Sequence, residues 1–568
     1  MNKFFIFCFI LLIHSCSGTK QLVQQNIDPY NYSSTKKTIV SNGAVVSAHP
    51  LASKVGLQIL KEGGNAFDAA IATQLALAVV YPGAGNLGGG GFMVATRSNG
   101  DRLALDYREM APASAHRDMF LDEKGNVMEG RSVLGHLSSG VPGTVAGLFE
   151  THQYARLPFK KLIEPAIALA EKGFKITARE ASGLNSISGN LKQYNTMATA
   201  LQKEGQWKAG DTLIQKDLAQ TLVRIRDNGK DGFYEGRTAQ LIEEEMKRGG
   251  GIITKEDLKS YKAKWRTAYA FDYKGNTVVS MPLPSSGGLL LHQMMKMLEK
   301  KDIQKMGFHS PEAVQLMIEV ERRAYADRSE FMGDADFYTA PVQAITSQAY
   351  LDQRMQDFIP GKAGKSTEVL PGKIKVSEET THLSVIDREG NAVAVTTTLN
   401  NGYGSITVVG RAGFLLNNEM DDFSIKPGVP NIYGAIGGQA NAIVPGKRML
   451  SSMTPTIVLK NNKPFLIVGT PGGTTIPTSV FQTLLNIIDF DLSTEEAVNK
   501  PKFHHQWLPD RVDIERDFPS TLAKALEKMG YQMHPRSAIG RTEVIRVLPN
   551  GQFEAVADKR GDDSAEGF

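Results

Sequence analysis

The stretch that decides the fold is residues 378–400, EETTHLSVIDREGNAVAVTTTLN. Two runs of apolar and β-branched residues flank DREGN, a pattern typical of a β-hairpin. Asp387 suits the first position of a type I turn, and Gly390 can adopt the positive φ that a three-residue hairpin loop requires. The sequence therefore predicts two antiparallel strands joined by a loop at residues 388–390.

The register of this hairpin brings two threonines face to face. A loop at 388–390 pairs Thr380 with Thr398 at a Cβ separation of about 5 Å, whereas a two-residue loop would pair Thr380 with Leu399. Cross-strand threonine pairs are common in ordinary sheets. The alternative is a nucleophile: a threonine that begins a chain can pass its hydroxyl proton to its own α-amine, whose pKa is about 7.7–8.0. That chemistry needs a cut before Thr380, which hairpin geometry does not reveal.

Outside the hairpin, helices alternate with strands from residue 41 onward. Residues 64–82, GNAFDAAIATQLALAVVYP, are apolar nearly all round and end in proline, so they predict a buried helix. The region 83–112 predicts a glycine run, a strand, a turn at 98–100 and a strand that ends at Arg108. The glycine run lacks a following Gly-Lys-Ser/Thr, so it predicts closely packed backbone and not a phosphate loop.

The later segments complete the prediction of the fold. They are a mostly amphipathic helical middle at 140–365, a polar loop at 366–379, a strand at GFLLNN (413–418), a hairpin that turns at Asn461-Asn462, and a helix at about 476–488. Strands at both ends of a helical middle predict two sheets with helices outside, a layered α/β fold.

Composition excludes several classes of protein. Of the 568 residues 41% are hydrophobic and 22% charged, as in globular proteins, and the net charge of +4 gives no indication of nucleic-acid binding. His504 and His505 are adjacent on an extended segment and point in opposite directions, so we expect no metal site there. We also expect no cofactor.

The N-terminus predicts export. Residues 1–16 combine a basic start with a short apolar run and contain both cysteines of the chain, Cys8 and Cys16. The segment resembles a bacterial lipoprotein signal with Cys16 as the lipidated residue, and simple removal of the signal is the alternative. Residues 17–40 are polar and suit a tether. The expected location is the bacterial periplasm, with or without a lipid anchor.

Motifs distributed along the chain resemble those of the γ-glutamyltransferase (γ-glutamyltranspeptidase) family. In chain order they are DYREMAP (106–112), TTHLSVID (380–387), VTTTLN (395–400), NNEMDDF (417–423), SSMTPTIV (451–458), GTPGG (469–473) and FHHQWLPD (503–510). The resemblance runs from about residue 41 to the C-terminus. It implies the four-layer αββα sandwich of N-terminal-nucleophile hydrolases and a precursor that cleaves itself between Glu379 and Thr380. The products are a large subunit, 41–379, and a small subunit, 380–568, in one folded unit.

The resemblance also implies an activity and a set of site residues. Thr380 attacks the γ-glutamyl amide of glutathione or a related compound, and the ester is resolved by water or by an amino-acid or peptide amine. The implied roles are contact with the nucleophile for Thr398, the oxyanion site for Gly472 and Gly473, the substrate α-carboxylate for Arg108, Ser451 and Ser452, and the α-ammonium for Asn400, Glu419 and Asp422. The Pro- and Gly-rich segment 424–438 resembles the lid loop of some family members, with Tyr433 as the residue that covers the nucleophile. Physical chemistry agrees, since a guanidinium fits a carboxylate and glycine N–H groups are unobstructed donors.

Other interpretations remain at this point. Taken alone, Arg108-Glu109 is typical of a local ion pair, Asp421-Asp422 of a helix N-terminus or a turn, and Ser451-Ser452 of turn chemistry. At the level of function, the alternatives are a related acylase that acts on a β-lactam side chain, and an inactive surface lipoprotein that only binds amino acids.

Overall fold

The computed structural model describes residues 27–369, 380–426 and 438–568. The strands in these ranges are β1 (Lys37–Val40), β2 (Gly43–Ser47), β3 (Gly90–Thr96), β4 (Arg102–Asp106), β5 (Phe174–Lys175), β6 (Thr212–Leu213), β7 (Lys264–Thr267), β8 (Tyr269–Tyr273), β9 (Asn276–Ser280), β10 (Thr381–Asp387), β11 (Ala392–Thr398), β12 (Thr456–Lys460), β13 (Lys463–Gly469), β14 (Phe503–His504), β15 (Val512–Glu515), β16 (Met533–Arg536), β17 (Glu543–Val547), β18 (Phe553–Val556) and β19 (Ser564–Gly567).

The α-helices in the same ranges are α1 (Pro50–Lys61), α2 (Ala66–Val80), α3 (Thr144–His152), α4 (Phe159–Lys172), α5 (Ala178–Ser186), α6 (Ser188–Tyr194), α7 (Lys216–Asn228), α8 (Asp231–Tyr234), α9 (Gly236–Gly249), α10 (Lys255–Ser260), α11 (Gly287–Glu299), α12 (Ile303–Met306), α13 (Pro311–Phe331), α14 (Val342–Ile345), α15 (Gln348–Arg354), α16 (Thr475–Ile488), α17 (Thr494–Asn499) and α18 (Ser520–Met529). Short 3₁₀ turns occur at His136–Ser138, Glu419–Asp422 and Gln439–Asn441.

Two large sheets form the centre of the molecule. One has the strand order β1-β18-β17-β13-β12-β9-β8, and the other has the order β19-β2-β10-β11-β3-β4-β7. Apolar side chains from the facing sides of both sheets, among them Val46, Phe92, Ile457 and Ile545, form the core between them. Alternation along each strand directs the remaining side chains outward, where helices cover them.

Helices cover the outer face of each sheet. α1 and α2 pack over the sheet that contains β10, α4 packs against α2, and apolar residues of all three belong to one large core with the sheet. α11 and α16 pack over the sheet that contains β13, α13 packs against α11, and their apolar residues form a second core with that sheet. The architecture is therefore a four-layer αββα sandwich, and the predicted fold class is confirmed.

α2 shows how a sequence pattern becomes a buried layer. Asn65 caps the helix, since its side chain accepts from the N–H of Asp68 while the Asp68 side chain accepts from the N–H of Asn65. Every residue from Ala66 to Val80 is buried, and the helix ends two residues before Pro82. The predicted buried helix is confirmed.

The hairpin has the predicted three-residue loop. Thr381 pairs with Thr397 and Ile386 with Ala392, so the same register places Thr380 opposite Thr398. Gly390 has φ +85°, as its place in the loop requires. The two-residue alternative, which would have paired Thr380 with Leu399, is wrong.

Four features of the fold differ from the sequence-based prediction. The helical middle contains β7, β8 and β9, which complete both sheets, and β4 ends at Asp106 and not at Arg108. GFLLNN forms only isolated bridges, because Gly413 has φ +80° and turns the chain out of a strand. α13 is not amphipathic: it packs against α11, and charged residues on it are buried in ion pairs, for example Arg323 with Glu319 at 2.5 Å.

Candidate active site

A cavity at one edge of the two central sheets collects the sequence-predicted residues. Its lining includes Arg108, Thr380, Thr398, Asn400, Glu419, Asp422, Ser451, Ser452 and Gly473, together with Arg328, Met453 and Ile476, which sequence analysis did not single out. These residues come from segments as far apart as the turn after β4, α13, the β10–β11 hairpin and the start of α16. Only the folded sandwich brings them together.

Thr380 and Thr398 occupy the two facing ends of the hairpin. Thr380 directly precedes β10 and Thr398 ends β11, and both are almost completely buried. The Asn400 N–H donates to Thr398 Oγ1 at 2.7 Å. The Asn86 side chain donates to the Thr398 carbonyl at 2.9 Å. The edge of the sheet is therefore fixed from both sides at the residue that faces Thr380.

The glycine run supports this edge by close backbone packing, as predicted. A Cβ atom on Gly89 would lie 2.1 Å from the Thr398 carbonyl oxygen, and one on Gly90 would lie 2.5 Å from the Tyr107 carbonyl oxygen. Since real Cβ atoms do not approach so closely, only glycine allows the 106–109 segment and the hairpin to converge here.

Arg108 is the cation at the centre of the cavity and is only 1% exposed. Its guanidinium pairs with Asp422 and with Glu419 at 2.5 Å, and its Nη1 lies 3.5 Å from Glu109. The Met449 carbonyl accepts from its Nε at 3.3 Å. Arg108, the residue expected to bind the α-carboxylate of the substrate, therefore pairs directly with Glu419 and Asp422, the residues expected to bind its α-ammonium.

Burial perturbs the acids around Arg108. It raises the pKa of Glu419 well above its ordinary value and raises the pKa of Asp422, while the positive charge of Arg108 opposes both shifts. Burial likewise raises the pKa of Glu109 to about 7. Arg108 therefore offsets part of the cost that burial imposes on the ionised forms of these carboxyl groups.

Ser451 and Ser452 lie on the loop before β12, held against the segment that leads into α11. The Ser451 N–H donates to the Pro284 carbonyl at 2.8 Å, and Ser451 Oγ accepts from the Met453 N–H at 3.1 Å. Ser452 Oγ accepts from Arg328 Nη2 at 3.0 Å.

The glycines of GTPGG adopt backbone conformations that suit glycine, with φ +135° at Gly472 and +53° at Gly473. Gly473 lines the cavity, and Gly472 precedes it on the loop that leads into α16. A Cβ on Gly472 would lie 2.5 Å from Thr475 Oγ1. Both residues are therefore glycine for a structural reason that is independent of any catalytic role.

Some predicted residues are not part of this description. Glu379, Tyr433 and Cys16 lie outside the described residues, so the cleavage site, the lid and lipid attachment remain predictions. His382 is buried, with its ring nitrogens bonded to Thr396 at 2.9 Å and Ser384 at 3.1 Å, which is typical of a structural residue. Within residues 27–369, 380–426 and 438–568, no group of three or more His, Cys, Asp or Glu side chains could hold a metal ion.

Arg328 is the site residue that sequence analysis missed. It lies on α13, and its Nε donates to Ser286 Oγ at 2.8 Å. Burial lowers its pKa, and the charge of Asp422 opposes that shift. Nothing in the spacing of ERRAYADRSEF separates this arginine from Arg322 and Arg323, since the helix buries all three and each has at least one partner in another segment.

Comparison with known proteins agrees with the geometry. A family model described as gamma-glutamyltranspeptidase matches residues 52–568. The chain is 49% identical over 532 residues to the glutathione hydrolase proenzyme of Escherichia coli (strain K12), covering 93% of this chain and 92% of that protein.

Solved structures show the same fold. The cephalosporin acylase from Bacillus halodurans matches with a TM-score of 0.82 at 26% identity, covering 95% of this chain and 99% of that chain. The gamma-glutamyltranspeptidase of Helicobacter pylori matches with a TM-score of 0.56 at 43% identity, covering 60% of this chain and 97% of that chain.

Proposed function

The chain belongs to the gamma-glutamyltranspeptidase family, and from this premise we propose that it is a self-processing γ-glutamyl hydrolase and transferase. Its donors are glutathione and related γ-glutamyl compounds. Its acceptors are water and the amines of amino acids or peptides. Relatives named glutathione hydrolase proenzyme support both the donor class and the precursor form.

One observation carries the proposal: a threonine at the start of a strand shares a cavity with a buried cation and the carboxylates that neutralise it. The head group of a γ-glutamyl donor is a zwitterion. Its α-carboxylate replaces the carboxylates at Arg108, and its α-ammonium takes over Glu419 and Asp422. Each ion keeps an opposite charge beside it, so the desolvation of the substrate is compensated.

The chemistry follows from the proposed cut between Glu379 and Thr380. The freed α-amine of Thr380 accepts the proton of its own hydroxyl as the oxygen attacks the γ-carbonyl carbon. Backbone N–H groups of Gly472 and Gly473 stabilise the oxyanion, and Thr398 orients the nucleophile. The C–N bond then breaks, the leaving amine takes the proton, and a γ-glutamyl ester remains on Thr380.

Resolution of the ester regenerates the enzyme. Water or an acceptor amine attacks the ester carbonyl and gives up a proton to the Thr380 α-amine. The γ-glutamyl group leaves as glutamate or as a new γ-glutamyl amide, and the Thr380 oxygen regains a proton. No cofactor enters this sequence of steps.

The N-terminus and the segment 424–438 complete the proposal. Residues 1–16 direct export to the periplasm, with Cys16 as the lipid-attachment residue, and Tyr433 covers the nucleophile as part of a lid. Among the helices that the structure describes, none combines the length and the apolar composition that a membrane-spanning segment needs.

The second candidate is an acylase, which the match to the cephalosporin acylase structure favours. An acyl group without an amino-acid head group carries no pair of opposite charges that could replace the pairing of Arg108 with Glu419 and Asp422. Comparing glutathione with a β-lactam side-chain amide as substrates separates the candidates. The third, an inactive binding protein, predicts no turnover of either.

The decisive experiment is a denaturing gel with N-terminal sequencing of the smaller band. We expect a small subunit of 189 residues (568 − 380 + 1) that begins Thr-Thr-His-Leu-Ser, together with glutamate release from glutathione. Thr380→Ala should remain a single chain and be inactive, whereas Thr381→Ala, the matched control, should still be cleaved. Full activity from a wild-type chain that stays uncut would refute the mechanism.

A further inference from the structure

Arg328 differs from the other buried arginines near it. Arg322 and Arg323 pair with carboxylates, as does Arg108 across the cavity. Among the residues that the structure describes, the Arg328 guanidinium has no carboxylate oxygen within 4.0 Å, and its two hydrogen bonds go to hydroxyl groups. A buried cation that lines the cavity and has only neutral partners attracts an anion, because burial without a countercharge is costly.

The hydroxyl groups beside Arg328 are oriented by their hydrogen bonds. Ser286 accepts from Arg328 and donates its one hydrogen to the Ser451 carbonyl at 2.8 Å. Ser452 also accepts from Arg328, and its own hydroxyl hydrogen is then available to the cavity. The hydroxyl hydrogen of Ser451 is available in the same way, because Ser451 Oγ accepts from the Met453 N–H. Both cavity hydroxyls therefore act as donors, which is the arrangement that a carboxylate needs.

We propose that Arg328 is a positioning residue for the α-carboxylate of the γ-glutamyl donor, acting through Ser452. This inference rests on the proposed function. The guanidinium holds the Ser452 hydroxyl with its hydrogen directed at the substrate and polarises that O–H bond. Its charge also supplements Arg108, which is shared between Glu419 and Asp422. Arg328 thereby favours donors that carry an α-carboxylate over those that lack one.

The test compares two chromogenic donors, γ-L-glutamyl-p-nitroanilide and 4-aminobutyryl-p-nitroanilide, which differ only in the α-carboxylate. Arg328→Gln should lower kcat/KM for the glutamyl donor about 10- to 100-fold, the range for one charge-assisted hydrogen bond. This loss should come from an increase in KM more than from a decrease in kcat. The value for the aminobutyryl donor should change less than about threefold, so the preference between donors falls by the same 10- to 100-fold.

Controls separate positioning from a general effect on stability. Arg323→Gln removes a buried arginine of the same helix whose partners Glu319 and Asp357 lie outside the cavity lining, and it should leave the donor preference unchanged. Ser452→Ala should lower the preference, and adding Arg328→Gln to it should lower the preference little further, because the two residues act as one unit.

The outcomes are distinct. Equal losses for both donors in Arg328→Gln, or an unchanged preference, would overturn the inference. If Arg328→Gln fails to fold or to process, Arg328→Lys decides: it keeps the charge but cannot bond Ser286 and Ser452 together, so it should retain an intermediate preference. A wild-type enzyme that releases no p-nitroaniline from the glutamyl donor would instead refute the proposed function.

Discussion

Replacing Arg108 by glutamine tests the charge balance of the cavity through protein stability. The substitution keeps a polar side chain but removes the cation that contacts Glu419 and Asp422 and lies 3.5 Å from Glu109. Removing one partner of a buried ion pair costs about 3–5 kcal/mol of unfolding free energy, because a charge is left buried without compensation. We expect a loss in that range at pH 8.

The pH dependence of this loss has a definite sign. The folded-state pKa values of Glu109, Glu419 and Asp422 lie above their ordinary values even with Arg108 present. Without Arg108 they rise further, so the folded variant binds protons that its unfolded state has already released. Its unfolding free energy therefore increases as the pH falls from 8 towards 5.5. One such group contributes about 1.4 kcal/mol per pH unit within that window, so the deficit relative to wild type should shrink by about 1–3 kcal/mol.

The measurement is urea unfolding followed by tryptophan fluorescence at pH 8.0 and 5.5. It uses the Thr380→Ala background, where the proposed mechanism leaves one chain and unfolding is unimolecular. Arg156→Gln is the control: hydrogen bonds from Arg156 lower the pKa of the partly exposed Glu389, and without them this carboxyl returns to its ordinary range below pH 5.5, so it stays ionised at both pH values. The control deficit should therefore be the same at both pH values. An Arg108→Gln deficit that is constant, or larger at pH 5.5, would refute the reasoning.

Two further predictions concern the scaffold. Gly390→Ala should destabilise the protein by about 1 kcal/mol, because the loop holds φ at +85° and no neighbouring atom hinders a Cβ; Gly189→Ala, in helical backbone that is equally unhindered, should be neutral or stabilising in the same urea assay. Trp507→Phe should cost about 2–4 kcal/mol and speed proteolysis within 364–369, because Nε1 donates to the carbonyls of Ser366 and Val369, both at 2.9 Å. Trp265→Phe, whose Nε1 bonds only the half-exposed Glu150, should cost less than 1 kcal/mol, and equal protease sensitivity in the two variants would contradict the anchoring role of Trp507.

The sequence predicted the parts of the fold that local rules determine. The glycine in DREGN fixed the hairpin loop, and the loop fixed the register, so the pairing of Thr380 with Thr398 needed no tertiary information. α2 was equally clear, because a helix that is apolar on every side has to be buried. The motifs of the family likewise located most of the cavity lining, although each motif alone fits an ordinary turn or ion pair.

Tertiary context determined the features that were missed. β7 is an edge strand with the sequence KWRT and no apolar alternation; it pairs with β4, and Arg266 on it bonds Asp106 at 2.7 Å. The charged residues of α13 predicted a solvated face, since partners that are distant in sequence, such as Asp510 for Arg322, give no local signal of burial. Apolar residues that repeat every 3.6 positions predict the buried face of a helix only if the polar residues between them are exposed. On α13 the polar residues are largely buried as well.

The charged residues in and beside the cavity together favour a zwitterionic ligand, a property that no single motif shows. Arg108 and Arg328 supply two positive charges, and Glu109, Glu419 and Asp422 supply acids that burial pushes towards the neutral form. A zwitterionic head group adds no net charge, so it can replace the internal pairs one for one without shifting this balance. A ligand with a carboxylate but no ammonium would leave Glu419 and Asp422 without Arg108, and a ligand with only an ammonium would leave the two arginines with fewer acids. Electrostatics alone thus favours an amino-acid head group over either half of it, and the preference should weaken at low pH, where the acids become neutral.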